Sequence, residues 1–219
     1  MSRTPLFVRA TAFVAALIAC NAFAANDISP AEQALFVAKH FGKLRPPATL
    51  SYRFVKGGSI EPGFDDKVSI KLEAQADGHC CAVAAEFLSG SRRLALPEIE
   101  SAQGNPAILY FLERDIREME RLTKGKANYF RKRIRMALAE SATVAELSVP
   151  YRGAQVKAQQ ISIAPYLGDP LRARFEQLAA KRYVFTLSTA VPGGVLSLRT
   201  QVDGAPGTPP LLSEEMRLD

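Results

Sequence analysis

Residues 105–141, NPAILYFLERDIREMERLTKGKANYFRKRIRMALAES, hold the longest helix-period stretch of the chain and divide two strand-like halves. Ile108, Leu112, Ile116, Met119 and Leu122 recur at three- and four-residue spacing, which lines one side of a helix with apolar side chains. Asn105 is suited to accept an orphan amide as N-cap, and Pro106 fits the first helical position, where a missing N–H costs nothing. Glu113 with Arg117 and Glu120 with Lys124 form i,i+4 pairs in the favourable order, each contributing about 0.2–0.5 kcal/mol. Gly125 offers a strain-free left-handed stop, and a second helix is expected from Asn128, burying Phe130, Ile134, Ala137 and Leu138. The apolar run 107–112 is short enough to compete as a buried strand; Pro106 and the charged continuation favour helix.

Charge concentrates in the same stretch. Setting aside residues 1–24, the chain has 26 Lys+Arg against 22 Asp+Glu, since Arg3 and Arg9 fall in the part removed. Residues 105–141 carry 9 basic and 5 acidic side chains, so the remainder balances and the whole excess lies here. Lys124, Lys126, Arg131, Lys132 and Arg135 are expected on the polar side of the hairpin, with no carboxylate between 121 and 139. These five are the candidate partner-binding residues. The bland alternative is a solvated helix face, which is what most charge runs are.

Residues 1–24 read as an export signal. Arg3 and Arg9 give a positive start, Ala10–Ala19 an apolar core too short to span a bilayer, and Ala22-Phe23-Ala24 a small-x-small cleavage site. Leu17-Ile18-Ala19-Cys20 supports a competing reading, a bacterial lipobox that would acylate Cys20 and anchor the protein to the outer membrane. The expected location is the periplasm, and the expected mature chain is one domain over 25–219 with no later transmembrane segment.

Ser29-Pro30-Ala31-Glu32 is a capping box opening a helix to about His40, with Leu35, Phe36 and Phe41 facing inward. Leu50, Tyr52 and Phe54, then Val68, Ile70 and Leu72, alternate with polar residues, the mark of antiparallel strands covering a core on one side. A turn at Asp77-Gly78 leads to Cys81, Val83, Ala85 and Phe87, and Leu94–Leu96 completes an expected four-strand meander. Beyond the central helices come a hairpin around Tyr151-Arg152-Gly153 and a helix opened by Asp169-Pro170 that buries Leu171, Phe175 and Leu178. Another hairpin surrounds Pro192-Gly193-Gly194, and a last strand lies within Leu211–Leu218. The fold class is therefore α+β: an antiparallel, curled sheet of about 8–9 strands on three helical segments, one of them a helical hairpin. This element order resembles that of periplasmic lipoprotein-carrier proteins, whose half-open barrel holds acyl chains. The resemblance is one of order alone, without a shared residue motif.

No pattern in the chain names a reaction. There is no GxSxG, no HExxH and no glycine-rich phosphate loop, and His40 and His79 have no metal-ligand spacing. Glu61, Asp65 and Asp66 put three carboxylates in one loop, a calcium candidate that lacks EF-hand spacing and competes with a solvated hairpin. Cys80-Cys81 lacks a CxxC arrangement; two inert thiols are expected, with a vicinal disulfide as the unusual alternative. No cofactor or metal is expected. The reading is a non-enzymatic exported binding or envelope-associated protein for an apolar or lipid ligand, with the basic hairpin facing an anionic partner. Export disfavours nucleic acid and leaves anionic lipid, cell-wall polymer or an acidic protein. Tyr129 and Phe130 beside the cations fit an interfacial pattern. The alternative is an envelope hydrolase whose active site the sequence does not display.

Overall fold

A computed structural model describes residues 28–75 and 80–219. The expected export signal with Cys20, the expected Asp77-Gly78 turn and His79 lie outside the described residues. The strands are β1 (Ala48–Gly57), β2 (Phe64–Ala74), β3 (Cys80–Phe87), β4 (Thr143–Tyr151), β5 (Ala154–Ile163), β6 (Arg182–Leu187), β7 (Val195–Val202) and β8 (Leu212–Leu218). They form one open antiparallel sheet of 8 strands in the order β3-β2-β1-β8-β7-β6-β5-β4. The last strand thus joins the two halves: Phe54 and Leu198 both pair with Met216.

Alternation places the faces as the sequence requires. Leu50, Tyr52, Phe54, Val68, Ile70, Leu72, Val83 and Phe87 are buried under the helices, while Ser51, Arg53 and Lys71 face water. Residues 152 and 153 close β4 onto β5 with positive φ at both Arg152 (47°) and Gly153 (81°), matching the twist of a two-residue hairpin.

The helical layer is α1 (Pro30–Glu32, continued by a π-helical turn to Val37), α2 (Ala107–Thr123) and α3 (Ala127–Glu140). The run 107–112 is helix, not strand, and Ile108, Leu112, Ile116 and Met119 are buried as the spacing demands. The capping box forms: Ser29 Oγ accepts from the Glu32 amide at 3.1 Å, and Glu32 accepts from the Ser29 amide at 3.2 Å. Helix geometry ends at Val37 rather than near His40, and Phe36 is exposed while Leu35 and Phe41 are buried.

Three further expectations are corrected. Leu94 makes only an isolated bridge to Phe87, because a 3₁₀ turn over Gly90–Arg92 precedes it and Pro97 follows; the first half is a three-strand meander. The segment after Asp169-Pro170 forms two 3₁₀ turns, Arg172–Arg174 and Glu176–Ala180, interrupted at Glu176 by a φ of 50°. Phe175 and Leu178 are buried there, but Leu171 is exposed. Between α2 and α3 it is Lys124, at φ 57°, that takes the left-handed stop. Gly125 serves by being small, since a Cβ would fall 2.5 Å from the Phe130 ring.

Candidate functional site

The nine basic residues of the central stretch fall into two groups. Arg114 meets Glu214 at 2.7 Å, Arg117 meets Glu113 at 3.6 Å, and Arg121 meets Glu61 and Glu118 at 2.6 and 2.7 Å. Arg133 meets Asp169 at 2.7 Å. Arg131, expected to be free, meets Glu113 of α2 at 2.9 Å; helix pairing supplies the carboxylate that its own segment lacks. Lys124, Lys126, Lys132 and Arg135 are exposed and have no ion pair among the described residues. The expected Glu120–Lys124 pair does not form, because Lys124 has turned out of the helix; Glu120 instead accepts from the Ala127 amide at 3.3 Å.

The interfacial aromatic pair is overturned. Phe130 is fully buried against Tyr166 and Phe175, and Tyr129 is half-buried with its hydroxyl donating to Asp169 at 2.6 Å. Helical rotation explains this: Tyr129 and Arg133 share the side of α3 that meets the 165–175 segment. There Asp169 Oδ1 also accepts from the Leu171 amide at 2.7 Å, and Arg133 donates to the Pro165 carbonyl at 3.3 Å. The segment is thereby clamped to α3, with Leu167 and Leu171 on either side of Asp169, 51% and 40% exposed. Arg172 and Arg174 beside them are exposed. The sequence signal for a turn here was Asp169-Pro170, but nothing in it told which leucine would face out.

Several other charged groups are committed to structure. Lys56, Arg114 and Arg121 interleave with Glu61, Glu118 and Glu214 between β1, β8 and α2. Hydrogen bonds from Arg121 and Lys56 pull the Glu61 carboxyl down to about 2. Asp65 pairs with Arg53, and Asp66 with Arg92 at 3.0 Å, so the three carboxylates proposed for calcium each face a cation. Deep in the core Lys181 meets Asp115, Tyr183 donates to Asp115 at 2.6 Å, and the Tyr166 and Tyr183 hydroxyls lie 3.0 Å apart. Burial there pushes both tyrosines well above their ordinary value.

His40 spends both ring nitrogens on backbone. Nδ1 accepts from the Asn105 amide at 3.0 Å and Nε2 lies 2.9 Å from the Ala34 carbonyl. Burial lowers its pKa, since a buried imidazolium loses hydration. Neither nitrogen faces a carboxylate, so the ring is a brace between the α1 segment and α2. Cys80 and Cys81 are joined by a disulfide at the head of β3, the alternative to the two inert thiols expected.

Tyr52, Phe54, Phe87, Phe111, Phe130 and Tyr166 fill the space between sheet and helices. A depression of about 520 Å³ lies instead on the helix-free face of the sheet, bordered by Thr143, Ser162, Arg182, Arg199 and Gln201.

No family model matches the chain, and no curated protein matches it in sequence. Among solved structures, the chain is similar to the Mycobacterium tuberculosis lipoprotein LppX at 8% identity and a TM-score of 0.34. The alignment covers 80% of this chain and 86% of that one. No described helix is long and apolar enough to cross a membrane.

Proposed function

We propose that this is an exported, non-enzymatic envelope-associated protein that binds an anionic partner through the outer face of its helical hairpin. The observation carrying the reading is the fate of the charges. Five of the nine cations in the central stretch are consumed by carboxylates, and Lys124, Lys126, Lys132 and Arg135, at the α2–α3 junction and along α3, remain exposed without an ion pair among the described residues. A folded protein gains almost nothing from unpaired surface cations, but together they create a local field that attracts anions. In this reading an apolar ligand belongs at the surface, since large aromatic side chains are buried between the sheet and the helices.

The test uses the purified chain with anionic vesicles and with polyglutamate. Binding to at least one should weaken steeply from 0.1 to 1 M salt, as the screening length falls from about 10 Å to about 3 Å. Changing Lys124, Lys126, Lys132 and Arg135 together to Gln should abolish it, and undiminished binding by that variant rejects the reading.

A further inference from the structure

Leu167 and Leu171 are large apolar side chains held out into solvent on a segment that is otherwise fastened down. A surface leucine alone is ordinary. What sets these two apart is that they flank the residue that fixes the loop. Asp169 is buried, and it is gripped by Tyr129, by Arg133 and by the Leu171 amide. Phe175 is buried against Tyr129 and Phe130 a few residues on. The leucines therefore stand on a preset turn, and little loop-ordering entropy remains to be lost when they bury into something else.

Exposed cations follow in the same segment and on the helix that it touches. Arg172 and Arg174 follow in the same segment, exposed and without an ion pair among the described residues. Lys126, at the N-cap of α3, and Lys132, within it, lie three residues to either side of Tyr129, which touches the turn. Of the carboxylates nearby, Asp169 is neutralised by Arg133, which leaves Glu176 as the exposed one in this segment. Two exposed apolar side chains, with unpaired cations in the same segment and on the helix it touches, fit a surface that presents phosphates above hydrocarbon. A soluble acidic polymer would use the cations and leave the leucines idle.

Resting on the proposed function, we infer that the anionic partner is a lipid bilayer surface. Leu167 and Leu171 enter the acyl boundary while Lys126, Lys132, Arg172 and Arg174 lie among headgroup phosphates. The chain has no tryptophan, so Leu171→Trp gives a single reporter at the depth in question. With vesicles of phosphatidylglycerol and phosphatidylcholine its emission should shift to the blue and be quenched by brominated lipid. Leu167→Ser/Leu171→Ser should lower the partition coefficient about tenfold, the loss expected for two partly buried leucine side chains. It should keep binding polyglutamate, and an unchanged thermal midpoint reports that the variant is folded. Binding to vesicles with unshifted Trp emission, or equal partitioning by the double-serine variant, overturns the insertion. Binding to polyglutamate but not to vesicles overturns the bilayer as partner and leaves the anionic-partner reading standing. Binding to neither overturns both.

Discussion

The core pair of Lys181 with Asp115 and the cation face of the hairpin are built from the same residue types and behave oppositely. Lys181 is fully buried, paired with Asp115 and surrounded by tyrosines, in a place where an unneutralised charge is intolerable. Lys124, Lys126, Lys132 and Arg135 stand in water, where a missing partner costs the fold almost nothing. The contrast separates charge that holds structure from charge left over for recognition. It turns on burial, which no count of lysines and arginines reveals.

The sharpest way to break the contrast is Lys181→Ala. Leaving Asp115 buried without its cation should cost about 3–5 kcal/mol in chemical denaturation, while Lys181→Met with Asp115→Leu should cost less than the single change. A loss under about 1 kcal/mol would mean that the pair is hydrated and belongs with the surface group.

His40 tests the interior at intermediate scale. Its folded pKa lies below the ordinary 6.5, so the unfolded chain takes up a proton more readily than the native one. The contribution is fully present above pH 6.5 and declines as the pH falls below it. His40→Asn, which keeps an acceptor toward the Asn105 amide, should cost about 1 kcal/mol at neutral pH and remove that slope. An unchanged slope in thermal melts across pH 7 to 5 would place its origin elsewhere.

Glu61 sits between the two regimes, half in water yet held by Arg121 and Lys56. With its folded pKa pulled to about 2 from 4.5, the stability it contributes is present above pH 4.5 and lost as the pH drops toward 2. Glu61→Gln should flatten acid unfolding in that window by under about 1 kcal/mol, the solvent-screened scale of such pairs. The smallest effect belongs to the hairpin. The four-site Gln variant should keep its stability within about 0.5 kcal/mol while losing its partner. A collapse on melting would show that the stems of these side chains pack.

Much of the fold was legible because its signals are local. Period-two alternation assigned the buried faces of β1 and β2, and the apolar spacing of Ile108, Leu112, Ile116 and Met119 placed α2. The Asn105 side chain accepts an orphan amide as read, from Ala107 at 3.0 Å, although the helix starts one residue later with Pro106 at its N-cap. The other hydrogen bonds of Asn105, to the Tyr52 hydroxyl at 2.8 Å and the Gly193 carbonyl at 2.9 Å, were not readable, because they span 53 and 88 residues. The Asp169-Pro170 cap likewise announced a turn correctly and a helix incorrectly. Asp169 was claimed by Tyr129 and Arg133 of a distant helix, and the chain after it broke at Glu176.

The sequence by itself determined which side of most strands is apolar, where the helical hairpin lies, and that the charge excess is local. These depend on neighbours within one turn or one pleat. Tertiary structure alone decided that β8 inserts between β1 and β7, that Arg131 is neutralised by Glu113 while Lys132 is not, and that Leu171 faces water rather than the core. Each depends on which distant surface arrives beside a residue, and pairing and burial energies are set by that arrival rather than by the residue's own neighbours in the chain.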